Sequence, residues 1–288
     1  MLVALGALGI GAAVGVLTGL FGVGGGFLIT PLLNVLLGVP MPIAVGTGAM
    51  QILGVSAAGL YRRRHEGLTD YKVAVVVFGG NYVGVRLGAA VLASLSELGS
   101  MIVNGREVVA VDLILLVVFS VVLTGIALWI WIDARRRGGG EECEGLFARI
   151  HCPPYTEFPT LTHPRLSIVV MSYFGLALGF LTGLLGIGGG VVLVPALIYL
   201  VGMRAHQAAA TSLALVALSS FVAVIVHAGV GNTDLGLVVP LLIGGSVGVQ
   251  FGATLCDRCN GQQLKRSFAL VVVGALLIVA GKLVALVT

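Results

Sequence analysis

The sequence predicts an all-α integral membrane protein of about ten hydrophobic segments, arranged as two inverted-topology repeats with glycine-rich broken helices. Three observations lead to this fold class. Hydrophobic residues make up 58% of the 288 residues and charged residues only 10%, which is more apolar surface than a soluble domain of this size buries. The apolar residues form runs of about 18 to 25, the length a helix needs to cross about 30 Å of hydrocarbon. The chain also resembles itself at an offset of 164 residues.

Five segments are predicted in the first half of the chain. Apolar runs bounded by polar residues, proline or glycine give 2–20, 26–37, 43–60, 73–95 and 108–132. The first run lacks the basic region and polar cleavage segment of a removable signal peptide, so we expect it to be a membrane segment. The second is too short to span a membrane and directly follows the cluster Gly24-Gly25-Gly26. It is predicted to be a half-helix.

The second half repeats this pattern. Its predicted segments are 166–184, 190–201, 206–228, 235–256 and 266–287. Segment 190–201 is again short and follows Gly188-Gly189-Gly190, which predicts a second half-helix and gives eight to ten spans in total. The long polar stretch between the halves divides the chain into an N-terminal transmembrane repeat (1–132), a cytoplasmic connector (133–165) and a C-terminal transmembrane repeat (166–288).

Charge placement predicts the orientation, because cytoplasmic loops collect Lys and Arg. The basic loops around residues 62–64, 135–137 and 258–266 can all lie inside, which puts 13 of the 16 Lys and Arg residues on the cytoplasmic side. Both termini then face out. The loop at 62–70 lies inside and its repeat mate at 226–234 outside, so the repeats are predicted to be inverted. Inverted repeats with broken helices are typical of secondary transporters, which bind substrate near the midplane.

Two glycine motifs carry a family resemblance. Leu17-Thr-Gly-Leu-Phe-Gly-Val-Gly-Gly-Gly26 aligns with Leu181-Thr-Gly-Leu-Leu-Gly-Ile-Gly-Gly-Gly190, and each is followed by a proline (Pro31, Pro195) and by Thr47 or Thr211-Ser212. This pair of motifs resembles the sulfite exporter TauE/SafE family, and the resemblance covers both repeats. It implies a permease of the cytoplasmic (inner) membrane for sulfur-containing anions such as sulfite, sulfonates or related organic acids.

The resulting functional hypothesis is a secondary transporter that exports a small sulfur-containing anion by alternating access. An importer or channel for sulfate, thiosulfate or a carboxylate is the alternative, and a non-transporting membrane scaffold is a third. No enzyme activity, cofactor or metal is predicted, because neither His-Glu-x-x-His nor paired carboxylates in the apolar runs occur. The expected partners are the anion, the lipid bilayer and a second copy in a homodimer, and no nucleic acid is expected.

The glycine clusters are the predicted centre of the anion site. Glycine backbone exposes N–H groups, and the helices that start there direct their partially positive N-termini at the same region. In inverted repeats the two half-helices enter from opposite sides, so both ends can meet near the midplane. Tight helix packing is the alternative role. The residues concerned are Gly22, Gly24, Gly25, Gly26, Gly186, Gly188, Gly189 and Gly190.

Several polar side chains within the apolar segments complete the predicted site, namely Thr47, Gln51, Asn81, Arg86, Thr211, Ser212 and Gln250. Arg86 lies about two-thirds along its segment, where an unsatisfied guanidinium is costly. It either holds the anion by two parallel hydrogen bonds or extends toward the outer headgroups. Ser56 and Ser220 are expected to be structural.

Three further patterns receive structural interpretations. Glycines spaced four residues apart predict a smooth packing stripe along one helix of each repeat. They are Gly80, Gly84 and Gly88 in the first repeat and Gly244, Gly248 and Gly252 in the second. His227 is expected to be solvated at a helix end. The Cys-x-x-Cys pair Cys256 and Cys259 could bind zinc or undergo redox chemistry, with further ligands from Cys143, Cys152 and His151 in the connector. The alternative is that all four cysteines are ordinary thiols.

Overall fold

The computed structural model describes residues 2–103, 106–136, 145–149, 152–158 and 165–287. In this part of the chain, eight helices are long and apolar enough to cross a membrane, and two shorter apolar helices cover 26–37 and 190–201. The predicted all-α membrane fold is therefore confirmed. The helices are α1 Leu2–Phe21, α2 Gly26–Leu37, α3 Met41–Arg63, α4 Tyr71–Ser96, α5 Ala110–Arg136, α6 Ile168–Leu185, α7 Gly190–Ala196, α8 Ala205–Gly229, α9 Leu235–Arg258 and α10 Gly261–Val287.

The remaining elements are short. Strands β1 (Ser100–Val103) and β2 (Arg106–Val109) form one antiparallel hairpin, and β3 (Tyr155–Glu157) and β4 (Arg165–Ser167) form another. Helix α7 continues as one π-helical turn, Leu197–Val201. A 3-10 turn at Leu146–Arg149 lies in the predicted connector, and α5 runs four residues into it.

The repeat mates α3 and α8 run antiparallel, as inverted topology requires. The hydroxyl of Thr47, in the second turn of α3, accepts a hydrogen bond from the N–H of Asp234, the residue after the α8–α9 turn, at 3.0 Å. The hydroxyl of Thr211, in the second turn of α8, accepts one from the N–H of Asp70, after α3, at 2.9 Å. Because the start of each helix meets the end of the other, the two repeats have opposite orientations.

In each repeat, the first helix packs against a helix of the other repeat. Helix α1 packs in parallel along α9, and α6 packs in the same way along α4. A Cβ at Gly84 of α4 would collide with the carbonyl of Leu176 in α6, and one at Gly248 of α9 would collide with the carbonyl of Ala12 in α1. The predicted glycine stripes are therefore packing surfaces, because only a hydrogen in place of a side chain allows this approach.

The half-helices fold back along the helix that precedes them. A Cβ at Gly25 would lie against Val14 and Thr18, one to two turns back in α1, and a Cβ at Gly6 would touch Leu37 at the end of α2. In the second repeat Gly189 lies beside Thr182 of α6. Each repeat therefore starts with a hairpin whose tip is a glycine cluster, and each half-helix ends at a glycine in the left-handed region, Gly38 or Gly202.

Candidate functional site

Both glycine clusters form sharp chain breaks between helices. Gly22, Gly24 and Gly25 have φ near 73°, and Gly186, Gly188 and Gly189 have φ between 65° and 73°. Side chains rarely adopt this left-handed region, whereas glycine does so without steric cost. Gly26 and Gly190 are the first helical residues of α2 and α7. The predicted broken helices are confirmed at the predicted positions.

The two breaks contact each other in the interior of the bundle. A Cβ at Gly26 would collide with the carbonyl of Ile187, and a Cβ at Gly190 would collide with the carbonyl of Val23. Gly24 and Gly188 both approach Ile52 of α3 and Val216 of α8, which are repeat mates near the middle of their helices. The structure thus brings the two breaks together through Gly24, Gly26, Gly188 and Gly190, whereas the other four predicted glycines contact neighbouring helices. In this conformation the two breaks are packed directly against each other.

The start of each half-helix presents unpaired backbone donors at this contact. In the described part of the chain, the N–H groups of residues 23–27 and 187–191 donate no hydrogen bond, as is usual for the first turn of a helix. The N-caps Gly25 and Gly189 have no side chain that could accept from them. Such free N–H groups at the positive end of a helix dipole are suited to an anion.

Two serines on the central helices carry buried hydroxyls without a partner among the described residues, and one of them lies next to a break. Ser56 of α3 and Ser220 of α8 are repeat mates, both are fully buried, and neither hydroxyl forms a hydrogen bond among the described residues. The Ser56 Oγ lies about 3.4 Å from the position that a Cβ on Gly24 would occupy. A buried unpaired hydroxyl is costly. Neither hydroxyl bonds the preceding turn or a neighbouring helix within the described structure, and the expectation that these two serines are structural stays a prediction.

Gln51 of α3 is also fully buried, with both amide atoms unpaired in the described structure. Its Nε2 lies close to Gly245 of α9. Gln51 precedes Ile52, which contacts the breaks, but its own side chain packs toward α9. The structure therefore places it beside the breaks rather than between them.

The predicted hydroxyl ligands already have protein partners. Thr47 and Thr211 accept the inter-repeat hydrogen bonds described above, at opposite ends of the bundle. Ser212 Oγ lies 2.6 Å from the carbonyl oxygen of Gly22 and 2.9 Å from that of Ala209, so it fixes the first break. Only Ser212 of these three contacts a break directly, and substrate contact by any of them stays a prediction.

The remaining predicted residues lie apart from the breaks. Asn81 of α4 is buried and its Oδ1 accepts a hydrogen bond from Ser219 Oγ of α8 at 2.7 Å. Arg86 and its mate Gln250 are exposed on the outer faces of α4 and α9. Arg86 does not extend toward the nearer helix end, since its Nη1 donates to Tyr82 Oη, one turn back, at 3.2 Å. The structure does not bring Arg86 or Gln250 to the glycine breaks.

A pair of residues that sequence reasoning missed supports the hairpins. Arg63 Nη2 donates to the carbonyl of Gly19, in the last turn of α1, at 3.0 Å. Its repeat mate His227 places Nε2 3.1 Å from the carbonyl of Gly183, in the last turn of α6. Both side chains are 2% exposed, so the prediction that His227 is solvated is wrong. The sequence did contain a signal for this pair, because the repeat offset of 164 residues makes Arg63 and His227 equivalent positions.

The cysteine pair at the end of α9 forms part of a buried contact. Cys256 is fully buried, with Sγ 3.8 Å from Nδ1 of His206, and Cys259 is half-buried. Among the described residues, no group of three His, Cys, Asp or Glu side chains is arranged to hold a metal ion. Cys143 and His151, which the sequence offered as further ligands, lie outside the described residues.

Inverted repeats that meet at two helix breaks, inside a bundle of membrane-spanning helices, define a multi-pass membrane transporter. The profile of the family described as sulfite exporter TauE/SafE matches residues 7–279. The chain therefore belongs to this family, as its glycine motifs indicated.

Relatives in two bacteria agree with this assignment. The chain is 26% identical to a probable membrane transporter protein of Xylella fastidiosa, over 92% of this chain and 90% of the relative. It is 27% identical to the probable membrane transporter protein YjnA of Bacillus subtilis, over 88% and 91% of the two chains. A second Bacillus subtilis protein, the probable membrane transporter protein YunE, is 25% identical over 94% and 96%. No solved structure matches.

Proposed function

We propose that this protein is a secondary transporter that exports a small sulfur-containing anion, such as sulfite or an organosulfonate, across the cytoplasmic membrane by alternating access. The observation that carries the proposal is the meeting of the two breaks, where unpaired N–H groups lie beside the unpaired Ser56 hydroxyl. Sulfite and sulfonates present several oxygen acceptors to such donors. A buried cation is not required, because the helix ends supply the positive potential.

The alternating motion follows from the inverted repeats. The break in the first repeat lies near Ala209 in the first turns of α8, and the break in the second lies near Val45 in the first turns of α3. Rocking of one repeat against the other would open the contact between the breaks toward one end of the bundle and then the other. In this proposal the chain is not an enzyme, both termini face outward, and the bilayer and a second copy are its partners.

The sharpest test removes the Ser56 hydroxyl. Because this hydroxyl has no protein partner, Ser56→Ala should leave the thermal stability of the unliganded protein nearly unchanged. We expect it to weaken binding of sulfite or methanesulfonate about tenfold to a hundredfold, the loss of one hydrogen bond to a charged acceptor. Ligand-dependent stabilisation of purified protein measures the affinity. Ser120→Ala is the matched control, since that hydroxyl bonds to Leu116 within α5.

Flux into proteoliposomes then separates the alternatives. Uptake of sulfite into inside-out vesicles that saturates, and that Ser56→Ala slows, supports an exporter. Saturable uptake only in right-side-out vesicles indicates an importer, and flux that does not saturate indicates a channel. If folded protein is stabilised by neither sulfite, sulfate, thiosulfate nor carboxylates at millimolar concentration, the transport proposal fails and the scaffold hypothesis takes its place.

A further inference from the structure

A groove on the outside of the bundle combines apolar and aromatic side chains with one arginine, a combination that the central breaks lack. It lies between α4 and α8, encloses about 780 Å³ and is open on one side. This volume is in the range of pockets that hold small organic ligands. Its lining comes from one face of each helix and includes Phe78, Tyr82 and Arg86 of α4 and Leu218, Phe221 and Ile225 of α8.

Arg86 is the one charged residue in this lining. Its Nη1 donates to the hydroxyl of Tyr82, and its guanidinium carbon lies 6.0 Å from the centre of the Tyr82 ring. Among the described residues, no carboxylate forms an ion pair with Arg86. A guanidinium is always charged and is expensive among apolar side chains. The groove therefore offers a positive charge that needs a counter-anion.

The depth of Arg86 narrows the choice of anion. Arg86 lies ten residues before the end of α4, Tyr71–Ser96, which places it roughly 15 Å from that end at 1.5 Å per residue. The guanidinium turns away from that end, toward Tyr82. A phospholipid phosphate stays in the headgroup layer and does not reach this depth. Among the described residues the acidic side chains of the spans lie at helix ends, so a second copy has no carboxylate to place there.

We propose that this groove binds an amphipathic organic monoanion, an aryl- or alkylsulfonate, whose charged group reaches Arg86 along the open side of the groove. The sulfonate would accept two parallel hydrogen bonds from the Arg86 guanidinium and a third from the Tyr82 hydroxyl. Phe78 and Phe221, with Leu218 and Ile225 beside them, would contact the apolar body of the ligand. The proposal rests on the proposed function for the class of ligand, a sulfur oxyanion, and assigns it a binding site separate from the glycine breaks.

The test compares two probes in full-length protein in nanodiscs of zwitterionic lipid. We expect naphthalene-2-sulfonate to bind at least tenfold more tightly than methanesulfonate, because only the former fills the apolar lining. Arg86→Gln should weaken naphthalene-2-sulfonate binding at least tenfold, and Arg86→Lys should weaken it less. Phe221→Ala should weaken naphthalene-2-sulfonate but not methanesulfonate. Arg62→Gln, which alters an exposed cation at the end of α3, is the matched control and should change neither affinity.

Three results would overturn the proposal. The first is equal binding of naphthalene-2-sulfonate by the wild type and Arg86→Gln. The second is full loss of that binding in nanodiscs that contain phosphatidylglycerol, which would make the occupant a lipid. The third is equally tight binding of the neutral naphthalene-2-sulfonamide. Failure of the proposed function has a different signature, since sulfite would then give no Ser56-dependent stabilisation while the Arg86-dependent binding persisted.

Discussion

Arg63 and His227 show how single residues hold the hairpins in place. Each reaches from the end of a long central helix to a carbonyl in the last turn of α1 or α6. The last carbonyls of a helix lack partners within it and carry partial negative charge, so a donor placed there is stabilising. The two contacts are repeat mates, but arginine occupies one and histidine the other. The hairpin tips that carry the glycine breaks are therefore fixed by different donors at the two ends of the bundle.

Replacing Arg63 should lower the stability of the whole fold. Arg63→Met keeps much of the buried volume and removes the bond to Gly19, so we expect a loss of about 1.5–3 kcal/mol in the free energy of unfolding. Arg62→Met changes the exposed neighbour and should cost less than about 0.5 kcal/mol. Reversible unfolding in mixed micelles provides the measurement. Equal effects of the two substitutions would show that the buried contact contributes little.

At the scale of elements, the glycine stripes decide which helices pair. Gly84 of α4 and Gly248 of α9 occupy the same position in their repeats, and each allows contact with the backbone of a helix from the other repeat. Gly79 lies on the same helix as Gly84, but a Cβ there would meet nothing within 4 Å. One helix therefore carries both a glycine that close packing requires and one that it does not.

This contrast gives a matched prediction. Gly84→Ala should destabilise the protein by about 1–3 kcal/mol, the usual cost of inserting atoms into a packed interface. Gly248→Ala should have a similar effect, because the two interfaces are repeat mates. Gly79→Ala should change stability by less than about 1 kcal/mol, in the favourable direction, since alanine is the better helix former. The melting temperatures of the three purified variants test this, and a destabilising Gly79→Ala with a neutral Gly84→Ala would contradict it.

At the scale of the molecule, inverted topology predicts opposite exposure of equivalent loops. Glu66 and Val230 are repeat mates, both exposed, in the turns after α3 and α8. In a cysteine-free background, Glu66→Cys should react with a membrane-impermeant maleimide only in inverted vesicles, and Val230→Cys only in intact spheroplasts. Both should react in detergent, which controls for local reactivity. Labelling of both from one side would rule out the proposed orientation.

The membrane spans and the two helix breaks could be predicted from the sequence, because they depend on local composition and on the internal repeat. Apolar length predicted the spans, and the glycine motifs predicted both breaks, because left-handed backbone depends on the residues themselves. Sequence reasoning failed where a role depends on which helices become neighbours. Ser56 and Thr47 both carry a hydroxyl on α3. Only the packing of the helices determines that the Thr47 hydroxyl accepts a hydrogen bond from Asp234 while the Ser56 hydroxyl stays unpaired beside Gly24. In the same way, Arg86 is exposed in a groove because α8 passes beside α4.

The exchange of helices between the repeats also bears on how the protein arose. Because α1 packs on α9 and α6 packs on α4, a single half would leave its stripe-bearing helices without their contacts. A one-repeat ancestor could satisfy those contacts only by pairing with a copy inserted in the opposite orientation. Such a subunit would need loops with little charge bias, so that both insertions occurred from one gene. Fusion of two such copies would let each half gain its own charges and would fix one orientation for each.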